Sequence, residues 1–342
     1  MVPKLPTRQL GKDGPQVVAL GWGAMGLSRF YGPAKPDEER LKFLDYVHST
    51  GLTNWDTSDM YGDSEDLLGK WFAQSGKRDE IFLATKFAVT KDKDGNFILR
   101  NDPPYVKEAC ETSLKRMGIK TIDLYYCHRM DGVTPIEKTV QAMAELKKEG
   151  KIRYLGLSEC SAETLRRACK VHHISAVQVE YSPYSLDIES PRTKLLETAR
   201  ELGVAIVAYS PLCRGFLGGK IRSPDDFPED DFRKTLPRFS KENFHKNIKL
   251  LDILNGIADK KGVHVSSLTL AWLMAQGDDI IPIPGTTSVE NLDINVKALS
   301  IKLTPEESTE IRAAAENAEV VGDRYGPGLG DQVFADTPPL EE

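Results

Sequence analysis

The chain has 342 residues, 40% of them hydrophobic and 28% charged, the values of a globular protein long enough to bury a large core without disulfide staples. A formal net charge of −6 and a pI near 5.7 argue against nucleic acid and anionic membrane as partners, since an acidic chain has no overall field that attracts either. Cys110, Cys127, Cys160, Cys169 and Cys213 form no C-x-x-C pair, no zinc-ligand spacing is apparent, and the opening MVPKLPTRQLGKDGP holds no apolar run. The expectation is therefore a cytoplasmic protein with reduced thiols, no membrane span and no metal site.

In chain order, 7–20 reads as a hairpin turning at Lys12-Asp13-Gly14. Short apolar runs then alternate with amphipathic stretches, at 17–23, 52–56, 81–87, 122–128, 153–159, 176–181, 204–210 and 279–285. Near-continuous apolar runs suit parallel strands buried on both faces. Between them, 103–118 predicts a helix with Val106, Ala109, Cys110, Ser113, Leu114 and Met117 on one face and Gly118 as its stop. Another opens at Ser161 and runs to 171, and a third is bounded by Ser190-Pro191 and Gly203. The acidic stretch 224–232 reads as a solvated loop.

Repeated strand–helix alternation implies an α/β fold, and its length favours a closed (β/α)8 TIM barrel over an open doubly wound sheet. The expected arrangement is one domain over 1–342 with the hairpin plugging the bottom. A long connection at about 211–245 and a tail at about 318–342 would cover the C-terminal face.

Two motifs mislead. GWGAMG (21–26) matches the dinucleotide fingerprint G-x-G-x-x-G, which requires the glycine loop to open directly into a helix. Pro33 and Pro36 interrupt the segment after the glycines, and the next helix is expected near Asp37. YGPAK (31–35) has Y-x-x-x-K spacing, but Gly32-Pro33 breaks the helical turn that would align its Tyr and Lys.

The chemistry gathers instead in NWDTSDMYG (54–62), LATKF (83–87) and DLYYCHR (123–129), each at the C-terminal end of a candidate strand. Barrel active sites lie on that face. Asp56, Tyr61, Lys86 and His128 would converge there across long sequence separations. An ammonium beside a tyrosine favours the phenolate, so Lys86 is expected to lower the Tyr61 pKa, with Asp56 holding Lys86 charged. His128 would donate to a substrate oxygen or relay protons. Such a set is a general acid facing a carbonyl, with hydride supplied by a cofactor.

These segments, with LGWGAMG, GKIRYLGLSE, VQVEYSPY, VAYSPLCRGFL and IPIPGTTSVENLDIN in the same order, resemble the aldo-keto reductase superfamily over nearly the whole chain. FPEDDFRKTLPRFSKENFHKN and the GDRYGPG tail resemble its longer-loop branch, which includes pyridoxal reductase-like enzymes. The resemblance implies a (β/α)8 barrel, the tetrad Asp56, Tyr61, Lys86 and His128, and reduction of aldehydes or ketones with NADPH. It also implies a dinucleotide site in which Gly23, Ala24, Met25 and Asp56 flank the cofactor and Ser158 and Gln178 bond the carboxamide. Tyr209 would stack on the ring. Ser210, Pro211, Leu212, Arg214, Gly215 and Leu217 would wrap the pyrophosphate, and Gly285, Thr286, Thr287, Asn291 and Asn295 would surround the adenosine end. Trp22, Phe87, Arg129 and Asp131 are the expected substrate rim.

Two departures bear on this. No Lys or Arg lies between 285 and 296, where relatives meet the 2′-phosphate, which leaves NAD open beside NADP. Cys213 stands where glycine is common. The alternatives to a reductase are an NADP-binding redox-sensing subunit with little turnover, and the same enzyme run as an alcohol dehydrogenase.

Overall fold

The structure, a computed structural model, describes residues 3–229, 231–326 and 330–341. The expected long connection and tail extend past those limits at Asp230, at 327–329 and at the final residue, which lie outside the described residues.

Thr7–Gln9 (β1) and Gln16–Val18 (β2) pair antiparallel as the expected hairpin. Leu10 and Val17 join the buried apolar cluster containing Ala84, Leu124, Tyr126, Val207 and Ile281 of the barrel strands. Arg8 fixes the hairpin beneath the barrel, donating to the carbonyls of Met274, Gly277 and Ile280 at 2.6–2.7 Å. The run 17–23 is therefore not one strand. It splits between β2 and the first barrel strand, Trp22–Gly23 (β3), because 19–21 carry the chain from plug to wall.

The barrel continues through Asn54–Asp56 (β4) and Phe82–Phe87 (β5). A short antiparallel hairpin comes next, Val89–Lys91 (β6) with Phe97–Leu99 (β7). Sequence reading missed it, although Asp94-Gly95 marks its turn and Asp92 accepts from the Asp94 and Asn96 amides, each at 2.9 Å. Ile122–Cys127 (β8), Ile152–Ser158 (β9), Ala176–Glu180 (β10), Ala205–Tyr209 (β11) and Ile280–Pro282 (β12) complete the wall. All neighbours are parallel. A Gly23–Gly285 bridge and a 2.8 Å bond from the Gly21 amide to the Pro282 carbonyl close the sheet into the (β/α)8 barrel.

The interior is filled rather than hollow. A Cβ on Gly156 would sit 2.3 Å from the Tyr126 ring, so the absence of a side chain there is what admits that ring.

The helices are Asp37–Ser49 (α1), Ser64–Ser75 (α2), Pro103–Met117 (α3), Ile136–Lys148 (α4), Ala162–Val171 (α5), Leu195–Leu202 (α6), Lys241–Lys261 (α7), Val265–Ala275 (α8), Val289–Lys297 (α9) and Pro305–Asn317 (α10). α3 is capped by Asp102 and stopped by left-handed Gly118, with its six expected residues buried. α5 is capped by Ser161, whose hydroxyl accepts from the Thr164 amide at 3.0 Å. α6 starts later than the sequence suggests. Ser190 instead caps a separate turn by accepting from the Thr193 amide, and Lys194 in the left-handed region breaks the path before Leu195.

The stretch 224–232 is not uniformly solvated. Asp231 is 6% exposed and clasps Arg233 at 2.6 and 2.9 Å. No helix among the described residues is long and apolar enough to cross a membrane.

Candidate active site

Polar residues interrupt the apolar strands at their C-terminal ends, and the barrel brings those ends together. Register places Gly23 beside Asp56 and Lys86 beside Tyr126. Lys86 Nζ has three hydrogens and three acceptors: Asp56 Oδ1 at 2.5 Å, the Thr57 carbonyl at 2.7 Å and Tyr61 Oη at 3.5 Å. Asp56 Oδ2 accepts from Gln178 Nε2 at 2.8 Å, which locks the carboxylate from the far side. His128 lies edge-on to Tyr61, with ring centroids 6.0 Å apart. The structure thus brings Asp56, Tyr61, Lys86 and His128 into one group. Tyr61 Oη accepts from Lys86, and among the described residues its own hydrogen has no acceptor.

Burial works against the Lys86 ammonium, but Asp56 and Tyr61 outweigh it and hold Lys86 above its ordinary pKa. The Tyr61 phenol moves the other way from the expectation. Burial raises its pKa by more than Lys86 lowers it, so Tyr61 stays protonated. Burial, Lys86 and Arg129 together press His128 well below the ordinary histidine value, keeping the ring neutral.

Of the residues expected at a dinucleotide, Ser158 and Gln178 are register partners across β9 and β10. Ser158 Oγ accepts from Arg129 at 3.3 Å. Tyr209 ends β11, its hydroxyl 2.8 Å from Glu159 Oε1 and 3.0 Å from Tyr325 Oη. Backbone strain gathers on this face: Phe30, Ala88, Glu159, Ser210, Cys213, Arg214 and Phe334 all have positive φ. Ser210, Pro211, Leu212 and Gly215 lie in the kinked loop after β11. Gly23, Ala24 and Met25 lead from β3 into a single 3-10 turn rather than the helix the fingerprint requires, and the Ala24 amide donates to the Asp56 carbonyl at 2.8 Å. Gly285, Thr286 and Thr287 precede α9. Ser288 caps that helix, and Asn291 and Asn295 lie within it.

Two of the residues expected at the pyrophosphate point into the protein. Leu217 has no exposed surface and belongs to the core. Arg214 turns inward through its own left-handed backbone, 3.4 Å from Glu180 Oε2 and over the Tyr325 ring at 4.6 Å.

Trp22 and Phe87 are not rim residues, because both are wholly buried. Trp22 packs on Phe43 and Trp55 and donates to the Thr286 carbonyl, while Phe87 packs on Tyr125. Asp131 is spent holding the amides of Asn101, Val133 and Thr134. Arg129 remains, half-buried between Ser158 and the Tyr325 hydroxyl.

The structure adds residues that sequence reading did not single out. Phe30 meets Tyr61 edge-on at 6.4 Å and Phe232 at 5.9 Å. Glu159 takes Arg324 of the tail at 3.2 Å. Burial would raise the Glu159 pKa, but Arg324 and Arg129 outweigh it and hold the carboxyl below its ordinary value. An acidic residue directly after a buried strand, in RYLGLSE, was the one available signal.

The Aldo/keto reductase family profile matches residues 19–316. The aldo-keto reductase yakc [NADP(+)] of Schizosaccharomyces pombe is 51% identical, covering 98% of this chain and 99% of its own length. The aldo-keto reductase str7 of Strobilurus tenacellus is 54% identical, covering 94% of this chain and 95% of its own. Among solved structures, the glycerol dehydrogenase AKR11B4 from Gluconobacter oxydans superposes with a TM-score of 0.81 at 26% identity. It covers 93% of this chain and 97% of its own. The thermostable aldo-keto reductase Tm1743, solved with the inhibitor epalrestat, gives a TM-score of 0.73 at 30% identity, covering 91% and 100%.

Proposed function

The chain belongs to the aldo/keto reductase family and is an oxidoreductase, and we propose that it reduces aldehydes or ketones to alcohols with Tyr61 as the proton donor. One observation carries this reading: Lys86 gives its third hydrogen to Tyr61 Oη, and among the described residues the Tyr61 hydrogen has no acceptor, which leaves it free for an incoming oxygen. Bound NADPH would supply hydride to the carbonyl carbon. Tyr61 then gives its proton to the oxygen, and Lys86 stabilises the phenolate that remains. Asp56 and Gln178 keep Lys86 in place, and neutral His128 orients the carbonyl.

The protonated Tyr61 is the form that can give a proton in the reductive direction. Ser158 and Gln178 at the carboxamide end, Tyr209 at the ring and the Gly23–Gly285 contact are chemically suited to a nicotinamide dinucleotide. The NADP(+) named for the yakc relative supports NADP as the partner here. A small carbonyl compound of the kind taken by pyridoxal reductase-like enzymes is the proposed substrate. The proposed setting is one barrel domain in the cytoplasm. The test monitors NADPH and NADH absorbance separately with pyridoxal, aromatic aldehydes and diketones. Stoichiometric alcohol with NADPH is expected, and tight NADPH binding without turnover on any carbonyl would overturn the proposal.

A further inference from the structure

Ser58 Oγ stands between two side chains, 3.2 Å from Asp59 Oδ1 and 3.3 Å from His128 Nδ1. Ser58 is 1% exposed and His128 8%, so solvent does not mediate between them. Ser58 Oγ also accepts from the Met60 amide at 3.4 Å and lies 3.4 Å from the Lys86 carbonyl. A hydroxyl carries one proton and two lone pairs. With one lone pair facing Met60, Ser58 links Asp59 to His128 by receiving a hydrogen from one and giving its own to the other, with the more distant Lys86 carbonyl as the competing acceptor.

We infer that Asp59, acting through Ser58, sets which ring nitrogen of His128 carries the proton, and with it whether His128 donates to the carbonyl oxygen. This rests on the reductase reading above. When Asp59 is a carboxylate it accepts from Ser58, Ser58 accepts from His128 Nδ1–H, and Nε2 is left bare. When Asp59 is a carboxylic acid it donates to Ser58, Ser58 donates to Nδ1, and Nε2–H is free to donate. Asp59 is a positioning residue, since it does not touch the reacting atoms.

The surroundings suit a switch near neutrality. Burial and Glu65 of α2 push the Asp59 carboxyl up to about 8 against the pull of Ser58, the Met60 amide and Arg116 of α3. Arg116 does not pair with that carboxyl. It donates at 3.0 Å to the Asp59 carbonyl and at 3.0 Å to Glu65. Tyr105 of α3 and Tyr125 of β8 also feel Asp59, and both stay protonated above their ordinary value. His128 remains neutral, and its neighbours Lys86 and Arg129 stay charged throughout.

The test is nitrogen–proton correlation NMR of the His128 ring, assigned by its loss in His128→Asn, from about pH 6.5 to about pH 9.5. The ring proton is expected to move from Nε2 to Nδ1 as pH rises, and kcat/KM for carbonyl reduction to fall about tenfold over the same window. Asp59→Asn offers an amide hydrogen to Ser58 at every pH, so Nε2–H persists and the alkaline fall disappears. In Ser58→Ala the His128 tautomer no longer tracks pH. A wild-type His128 that keeps one tautomer across the range overturns the inference, as does an Asp59→Asn variant with the wild-type pH profile. A tautomer that moves as described in a protein that reduces no carbonyl upholds the relay and overturns the reductase reading.

Discussion

Lys86 and Asp56 meet at 2.5 Å with 0% and 6% of their side chains exposed, an ion pair made on adjacent strands and sealed from water. Taking one partner away leaves the other charge buried, which costs far more than the pair itself contributes. Lys86→Met is therefore expected to lower unfolding stability by about 3–5 kcal/mol, read as a lower urea midpoint, besides removing activity. A stability loss of under about 1 kcal/mol would mean the pair is solvated.

The tail is tied to the barrel by the same physics. Arg324 and Glu159 lie at 3.2 Å with 7% and 0% of their side chains exposed. Because the folded Glu159 pKa is depressed, its contribution is present above the ordinary glutamate value of 4.5 and is lost as pH falls through the folded value. The stability gap between wild type and Arg324→Met should thus be full near neutrality and shrink below that value, as read by thermal melts across pH. A gap that widens on acidification would contradict the assignment.

The loop before α9, which we propose meets the 2′-phosphate, offers Thr286, Thr287 and Ser288 as neutral donors and no cation. Thr287 is exposed there. Thr287→Arg is expected to raise the NADPH-over-NADH ratio of kcat/KM about tenfold, since a guanidinium pairs with a phosphate and with no part of NADH there. An unchanged ratio would place the 2′-phosphate elsewhere.

Much of this was legible because strand chemistry is local. A polar residue ending a buried apolar run, as in NWD, LATK and YYCH, has to face something on the barrel's C-terminal rim, and Asp56, Lys86 and His128 do, with Tyr61 following in the loop after β4. What was not legible depends on direction and distance. Trp22 and Phe87 sit in strand runs beside the tetrad, but both are packed wholly into the core, which a two-residue strand such as β3 cannot signal through alternation. Arg324 and Glu159 are 165 positions apart, so no window of sequence holds both. The inward turn of Arg214 depends on a left-handed backbone at a non-glycine residue, a strained state that only the folded surroundings impose. The net effect on Tyr61 was hidden for a similar reason: the sequence names Lys86 as its neighbour but not the depth of burial that outweighs it.

Tyr61 carries the account, and Tyr61→Phe tests it most directly, because the ring stays and only the acidic hydrogen goes. Turnover of NADPH with an aromatic aldehyde is compared with NADPH binding measured by fluorescence quenching. The account predicts that turnover falls by at least about a hundredfold while NADPH affinity stays near wild type. Wild-type turnover in Tyr61→Phe would contradict it.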